Sequence, residues 1–106
     1  WDPEVLRLAT QEILVNLPDP MLGFAANRSA GLIIAGDDAN FTLRGFGAGC
    51  SPRTFGHNGA GGQMSWADPD TGLSMGFVTS GIDANFLREA RRTISIASKV
   101  ADSVSG

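Results

Sequence analysis

The single histidine of the chain lies in a glycine-rich run, residues 55–62, that could present backbone amides to a ligand. The run reads Phe-Gly-His-Asn-Gly-Ala-Gly-Gly, with His57 as its third residue. Asn58-Gly59 is typical of a type I′ hairpin turn, which is the simplest interpretation. The small residues Ala60 to Gly62 are poor strand formers, however, and a strand edge built from them leaves room beside it. Open N–H groups on such an edge could bind an oxyanion or an acyl group.

Two other side chains could act as nucleophiles. Ser74 lies in a G-x-S-x-G pattern, which in a nucleophile elbow requires a sharp turn from strand to helix. The residues after Ser74 continue a strand, and the only histidine precedes it, so we interpret the match as coincidental. Cys50 could pair with His57, but no third group is placed to orient the imidazole. We interpret Cys50 as a small apolar residue.

The composition excludes several classes of function. The chain has 106 residues, a formal net charge of −3, one cysteine and one histidine. A structural zinc site needs four ligands, and an intrachain disulfide needs two cysteines. The sequence contains no basic patch suited to nucleic acid and no apolar run of about 20 residues that could cross a membrane. We expect one domain over residues 1–106, with no cofactor and no metal. We also expect a soluble protein, with the cytoplasm as a candidate compartment.

The first half of the chain combines a helical pattern with strand patterns. Asp2-Pro3 marks a helix start, and apolar residues at helical spacing predict that this helix continues to Leu17. An apolar segment at residues 31–36 and an alternating one at residues 41–44 predict a first β-hairpin. Seven glycines between residues 45 and 62 indicate positive-φ turns or close backbone approach.

The second half predicts another hairpin and a long helix. Residues 63–67 and 73–79 form strands around an Asp68–Gly72 turn. Asp83 is expected to cap a helix that reaches about Ser103. Its apolar stripe is Leu87, Ala90, Ile94, Ala97, Ala101 and Val104. Strands grouped between helices predict an α+β fold, an antiparallel sheet of two hairpins with N-terminal and long C-terminal helices.

These features together resemble the C-terminal third of the serine β-lactamase-like superfamily, and most closely its class C β-lactamase and esterase branch. The resemblance covers about residues 31–104, and residues 3–17 more weakly. It is carried by four segments, which are Phe55–Gly62, Trp66–Pro69, Gly72-Leu73 and Phe77–Thr79. In that superfamily a K-T-G or H-x-G triplet begins a strand lining the active site. A turn then leads to the next strand, and a long C-terminal helix packs across the sheet.

The resemblance assigns roles to five residues. His57 occupies the Lys or His position of the triplet, so it would line the site, and Ala60 would supply one N–H of the oxyanion hole. Asn58, Gly59 and Gly61 would bind substrate. The superfamily nucleophile lies in S-x-x-K and its partner in Y-x-N, yet this chain has no tyrosine, and no serine precedes its only lysine, Lys99, by three residues.

The resemblance therefore implies a C-terminal segment of a serine hydrolase that acts on a small ester or amide and is inactive by itself. Its partner would be the upstream segment of the same domain or a second copy of the chain. The alternative is a non-catalytic binding or assembly module on the same scaffold.

Overall fold

The computed structural model describes residues 1–104 and has an α+β fold, as predicted from the sequence. A four-stranded antiparallel sheet, with strands in chain order across it, carries a long C-terminal helix on one face. The elements are α1 (Pro3–Thr10), β1 (Ile33–Ile34), β2 (Phe55–Asn58), β3 (Met64–Asp68), β4 (Leu73–Phe77) and α2 (Phe86–Asp102). The predicted second hairpin is confirmed as β3–β4, and a hairpin also joins β2 to β3.

The core lies between the sheet and α2. Met64 and Trp66 alternate with exposed Ser65 along β3, so one face of the strand is buried and the other is open. Ala97 and Ala101 of α2 pack in the same cluster as these two side chains. Small residues on the helix allow it to approach the sheet closely, which explains why Trp66 is only 4% exposed.

Helix α1 is shorter than its apolar spacing predicts. The Asp2 carboxylate accepts hydrogen bonds from the Glu4 and Val5 amides, so the predicted start is confirmed. The helix ends at Thr10 rather than Leu17, because the chain then pairs in a β-bridge between Val15 and Arg28. Backbone pairing with a distant segment replaces the helical hydrogen bonds that the local pattern favours.

The predicted first hairpin, between residues 31–36 and 41–44, is wrong. Only Ile33–Ile34 forms a strand, and it pairs with β2. Residues 41–44 form a turn, in which the Arg44 amide donates to the Asn40 and Phe41 carbonyls at 3.2 Å. The Arg44 side chain is buried and bonded to carbonyls of two other segments, a placement that strand alternation does not provide.

Helix α2 begins two residues later than predicted, and its buried face differs. The Asn85 side chain caps the helix by accepting from the Arg88 amide at 3.0 Å, whereas Asp83 binds the Arg88 guanidinium. The buried positions are Glu89, Thr93, Ala97 and Ala101. Leu87 is 74% exposed. Of the predicted stripe, only Ala97 and Ala101 are therefore buried in the core.

Close backbone approach accounts for two of the glycines between residues 45 and 62. A Cβ on Gly47 would lie 2.4 Å from the Ala97 carbonyl carbon, so this loop rests directly on α2. A Cβ on Gly56 would lie 2.6 Å from the Trp66 Cα, so β2 leaves room for the indole ring. Gly45, Gly61 and Gly62 have positive φ. Both predicted reasons for the glycine density are therefore confirmed.

The Asp68 carboxylate, at the end of β3, anchors the loop that leads into β2. It is 2% exposed and accepts hydrogen bonds from the Ser51 amide at 2.8 Å, the Ser51 hydroxyl at 2.6 Å and the Asp70 amide at 3.0 Å. Burial alone would raise the pKa of Asp68, but these hydrogen bonds outweigh it and hold the pKa below its ordinary value.

We expect Asp68→Asn to lower the free energy of unfolding at pH 7 by about 1–3 kcal/mol, since it replaces a charged acceptor of three hydrogen bonds. Because the folded-state pKa is below the unfolded-state value of about 3.9, the ionised form stabilises the fold above that pH. The contribution is lost as pH falls through the folded-state pKa. In urea denaturation between pH 7 and pH 2, the free energy of unfolding should therefore fall less steeply with decreasing pH in the variant than in the unmodified chain. Asp37→Asn, which changes an exposed carboxylate, is the control. The prediction would be contradicted if the free energy of unfolding changed with pH equally in Asp68→Asn and in the unmodified chain.

Candidate functional site

The candidate site is an open cleft around the C-terminal end of β2. His57 of β2 lies opposite Ser65 of β3, which lies opposite Gly76 of β4. These positions form a row on the sheet face opposite α2, because side chains alternate and Met64 and Trp66 face the helix. The cleft has a volume of about 450 Å³. Its lining is His57, Asn58, Gly59, Gln63, Met64, Ser65, Gly76, Phe77 and Val78.

The imidazole of His57 is oriented by one hydrogen bond at each nitrogen. Nδ1 lies 2.5 Å from the Asn58 carbonyl oxygen, which can only accept, so Nδ1 carries the hydrogen. Nε2 lies 3.3 Å from Nη1 of Arg28, which can only donate, so Nε2 accepts. These partners fit the tautomer that carries its hydrogen on Nδ1. The ring itself is exposed to solvent at the mouth of the cleft.

Arg28 is the residue of this site that sequence reasoning missed. It reaches His57 from 29 positions earlier in the chain, on a segment that bridges Val15 and Ile33. Among residues 1–104, no carboxylate lies within ion-pair distance of its guanidinium. A lone arginine in a connector has no local pattern that marks it, so only the tertiary structure places it beside the imidazole.

The edge of β2 is unpaired on the β1 side from His57 onward. The Gly59 amide donates to the Gln63 carbonyl at 2.6 Å, and hydrogen-bonded pairs alternate along antiparallel strands. His57 and Gly59 therefore direct their backbone groups at β3, whereas Asn58 directs its groups toward β1. Strand β1 pairs only as far as Gly56, so the Asn58 N–H has no strand partner among residues 1–104.

The structure brings together three of the five predicted site residues. His57, Asn58 and Gly59 line the cleft. Ala60 lies in the β2–β3 turn, where its amide has no hydrogen-bond partner among the described residues. The Gly61 carbonyl accepts from Nη2 of Arg92 at 3.4 Å, so this residue is held against α2.

The predicted ligand-facing strand through Gly62 is wrong, since the strand ends at Asn58. The two positive-φ glycines, Gly61 and Gly62, form the turn instead, and Gly62 packs against the Arg92 side chain. The simpler hairpin interpretation of Asn58-Gly59 describes the backbone better, although the loop is longer than a two-residue turn.

The two alternative nucleophiles lie apart from His57. Ser74 is an exposed residue inside β4, with no strand-to-helix turn beside it, so the absence of a nucleophile elbow is confirmed. Cys50 is half-buried and packs against the core cluster. Burial raises the pKa of the Cys50 thiol, which disfavours the thiolate.

The described residues, 1–104, contain no group of three or more His, Cys, Asp or Glu side chains that could hold a metal ion. Over the same range, neither helix has the length and apolar character needed to cross a membrane. No family model, no curated protein and no solved structure matches the chain. The geometry of the cleft is therefore the basis for a functional proposal.

Proposed function

We propose that the cleft beside His57 is one wall of the acyl-binding site of a β-lactamase-like serine hydrolase. The observation that carries the proposal is the position of His57 at the end of β2, in a cleft bordered by the unpaired backbone of Asn58. A carbonyl group at the outer edge of β2, on the side where β1 no longer pairs, would lie beside the Asn58 N–H and the imidazole. Gly76 leaves space for an apolar acyl chain, because nothing lies within 4 Å of the position that its Cβ would take, and Val78 lines the same cleft with an apolar side chain.

The free N–H groups of Asn58 and Ala60 are the candidate oxyanion donors. Amides that are fixed before the reaction stabilise the developing oxyanion, and loss of one such donor costs on the order of 10²–10³ in kcat. The Arg28 contact favours this role indirectly. The contact with Arg28 fixes the plane of the imidazole, so that its Nδ1–H stays bonded to the Asn58 carbonyl. This hydrogen bond in turn holds the end of β2 in place.

The nucleophile would come from outside this chain. Ser65 is the serine nearest His57 in the sheet register, but the Nε2 lone pair that would activate it is occupied by Arg28. Lys99 is exposed near the end of α2, on the opposite face of the sheet. The companion is the upstream segment of the hydrolase domain. Exposed apolar side chains at Trp1, Leu17 and Met21 are consistent with a covering partner.

The isolated chain is expected to show no enzymatic hydrolysis of p-nitrophenyl butyrate. Its rate should equal that of His57→Ala, because no activated hydroxyl lies beside the cleft. Saturable turnover that disappears in Ser65→Ala would contradict the proposal. Adding a companion segment that carries S-x-x-K and the tyrosine motif should restore turnover, and binding without turnover in that mixture would support the non-catalytic binding module instead.

The cleft itself is tested by titrating the chain with butyranilide, an amide that resists hydrolysis, and following backbone amide shifts by NMR. We expect shifts at Asn58, Ala60 and Gly76. Gly76→Leu should abolish them, since a Cβ at this position enters open space in the cleft and leaves the fold intact. Gly81→Leu is the matched control outside the cleft, and shifts that persist in Gly76→Leu would reject this binding site.

A further inference from the structure

Strand β4 is an edge strand whose outer side pairs with nothing among residues 1–104. At the opposite edge of the sheet, β1 is covered by the bridge between Ile33 and Arg28. Apart from the short stretch of β2 beyond Gly56, β4 is therefore the open edge of the sheet among residues 1–104. An unpaired edge presents a row of backbone donors and acceptors to any extended chain that approaches it.

The pairing register of β3 and β4 shows which backbone N–H and C=O groups of β4 have no partner in the sheet. Because His57 and Ser65 exchange hydrogen bonds, Ser65 points toward β2, and its neighbours Met64 and Trp66 point toward β4. Met75 and Phe77 are therefore bonded to β3. The N–H and C=O groups of Ser74 and Gly76 point outward.

This edge lacks the usual features that prevent strand pairing. Residues 71–82 contain no charged residue and no proline. Natural edge strands are commonly protected by lysine, proline, a bulge or a covering segment. Within this run Val78 is 82% exposed and Ile82 is 77% exposed, so apolar surface continues past the end of the strand.

We propose that β4 pairs with β4 of a second copy of this chain, forming a two-fold antiparallel dimer with one continuous sheet. We take the register centred on Met75, which uses the outward groups of both Ser74 and Gly76, so that Ser74 of each copy lies opposite Gly76 of the other and Met75 lies opposite Met75. On the α2 side, Leu73 then lies opposite Phe77. A second copy fits because every opposed pair is either small or apolar and no like charges meet, whereas like charges opposite each other would be destabilising.

The dimer has a consequence for the cleft, which Gly76 lines. The two-fold axis is perpendicular to the sheet, so both α2 helices lie on one face and both clefts lie on the other. Ser74 of the second copy would stand beside Gly76 at the rim of each cleft. The proposal does not depend on the hydrolase proposal, because it rests on the β4 edge alone.

Sedimentation velocity of the chain over a hundredfold concentration range tests the dimer. We expect a reversible monomer–dimer equilibrium, and Ser74→Lys should raise its dissociation constant by about two- to fivefold, since the two lysines face each other diagonally across the new strand pair. Ser65→Lys is the matched control, because Ser65 is exposed on the same sheet face but lies on a strand paired on both sides. It should leave the dissociation constant unchanged.

Hydrogen exchange tests directly whether the outward amides of β4 pair with the second copy. The Ser74 and Gly76 amides should be protected at high protein concentration and exchange rapidly at low concentration, while the Met75 and Phe77 amides stay protected at both. Ser74→Pro, which removes an outward N–H and spares the β3 ladder, should weaken the dimer with the fold retained by circular dichroism. A chain that is monomeric throughout, or a dimer unaffected by both Ser74 variants, would overturn the proposal.

Discussion

Replacing Gly56 by alanine is expected to lower the free energy of unfolding by about 3 kcal/mol or more, near the upper end of the range for overpacked sites. The added Cβ would lie 2.1 Å from the Ser65 carbonyl oxygen and 2.7 Å from the Trp66 Cβ. Both are too close for any real contact, and the Ser65 oxygen belongs to the backbone of the central strand. Strands β2 and β3 must therefore move apart, or the buried indole must leave its position.

The effect should be visible in chemical denaturation as a lower midpoint with an unchanged m-value. Gly81→Ala is the matched control, since its Cβ would meet nothing within 4 Å, and its effect should stay within about 0.5 kcal/mol. His57 is adjacent to Gly56, so amide shifts around the cleft should also change in Gly56→Ala. A midpoint equal to that of the Gly81→Ala variant would show that β2 and β3 can separate without cost.

Replacing Arg44 by methionine is expected to destabilise the fold by about 2–3 kcal/mol, the upper part of the range for leaving buried acceptors without a donor. The Asp38 carboxylate is 41% exposed, so water can solvate it when the guanidinium is removed. The guanidinium donates to the Ala25 carbonyl at 2.8 and 3.0 Å, to the Ala35 carbonyl at 2.8 Å and to the Asp38 carboxylate at 2.6 and 2.7 Å. It also lies 5.4 Å above the Phe24 ring. Methionine fills the space and leaves these acceptors without a donor.

Arg44→Lys should recover only part of the lost stability. An ammonium group cannot reproduce the planar guanidinium, which donates to the Ala25 and Ala35 carbonyls and to the Asp38 carboxylate at once. The arginine holds the pKa of Asp38 at about 2, so the ion pair persists in acid until the pH approaches that value. Arg53→Met is the control, because Arg53 pairs with Asp70 on the surface and should cost no more than about 1 kcal/mol. Equal urea midpoints for the Arg44 and Arg53 variants would contradict a structural role for the buried guanidinium.

The sequence by itself determined the elements whose causes are local. The start of α1 follows from an N-cap followed by proline, at Asp2 and Pro3. The β3–β4 hairpin follows from alternation around a turn at Asp68–Gly72, and the α+β class follows from the grouping of strands between helices. His57 and its glycine-rich surroundings were also recognisable, because an unusual density of glycine in one segment requires a structural reason.

Only the tertiary structure decided the contacts between distant segments. It buried Arg44 where alternation predicted a strand, ended α1 at Thr10 and paired β1 with β2. It also placed Arg28 on His57 and left the outer edge of β4 open. Each of these results depends on whether a segment finds a partner far along the chain, for its backbone groups or for a polar side chain. Local propensity carries no information about where those partners lie.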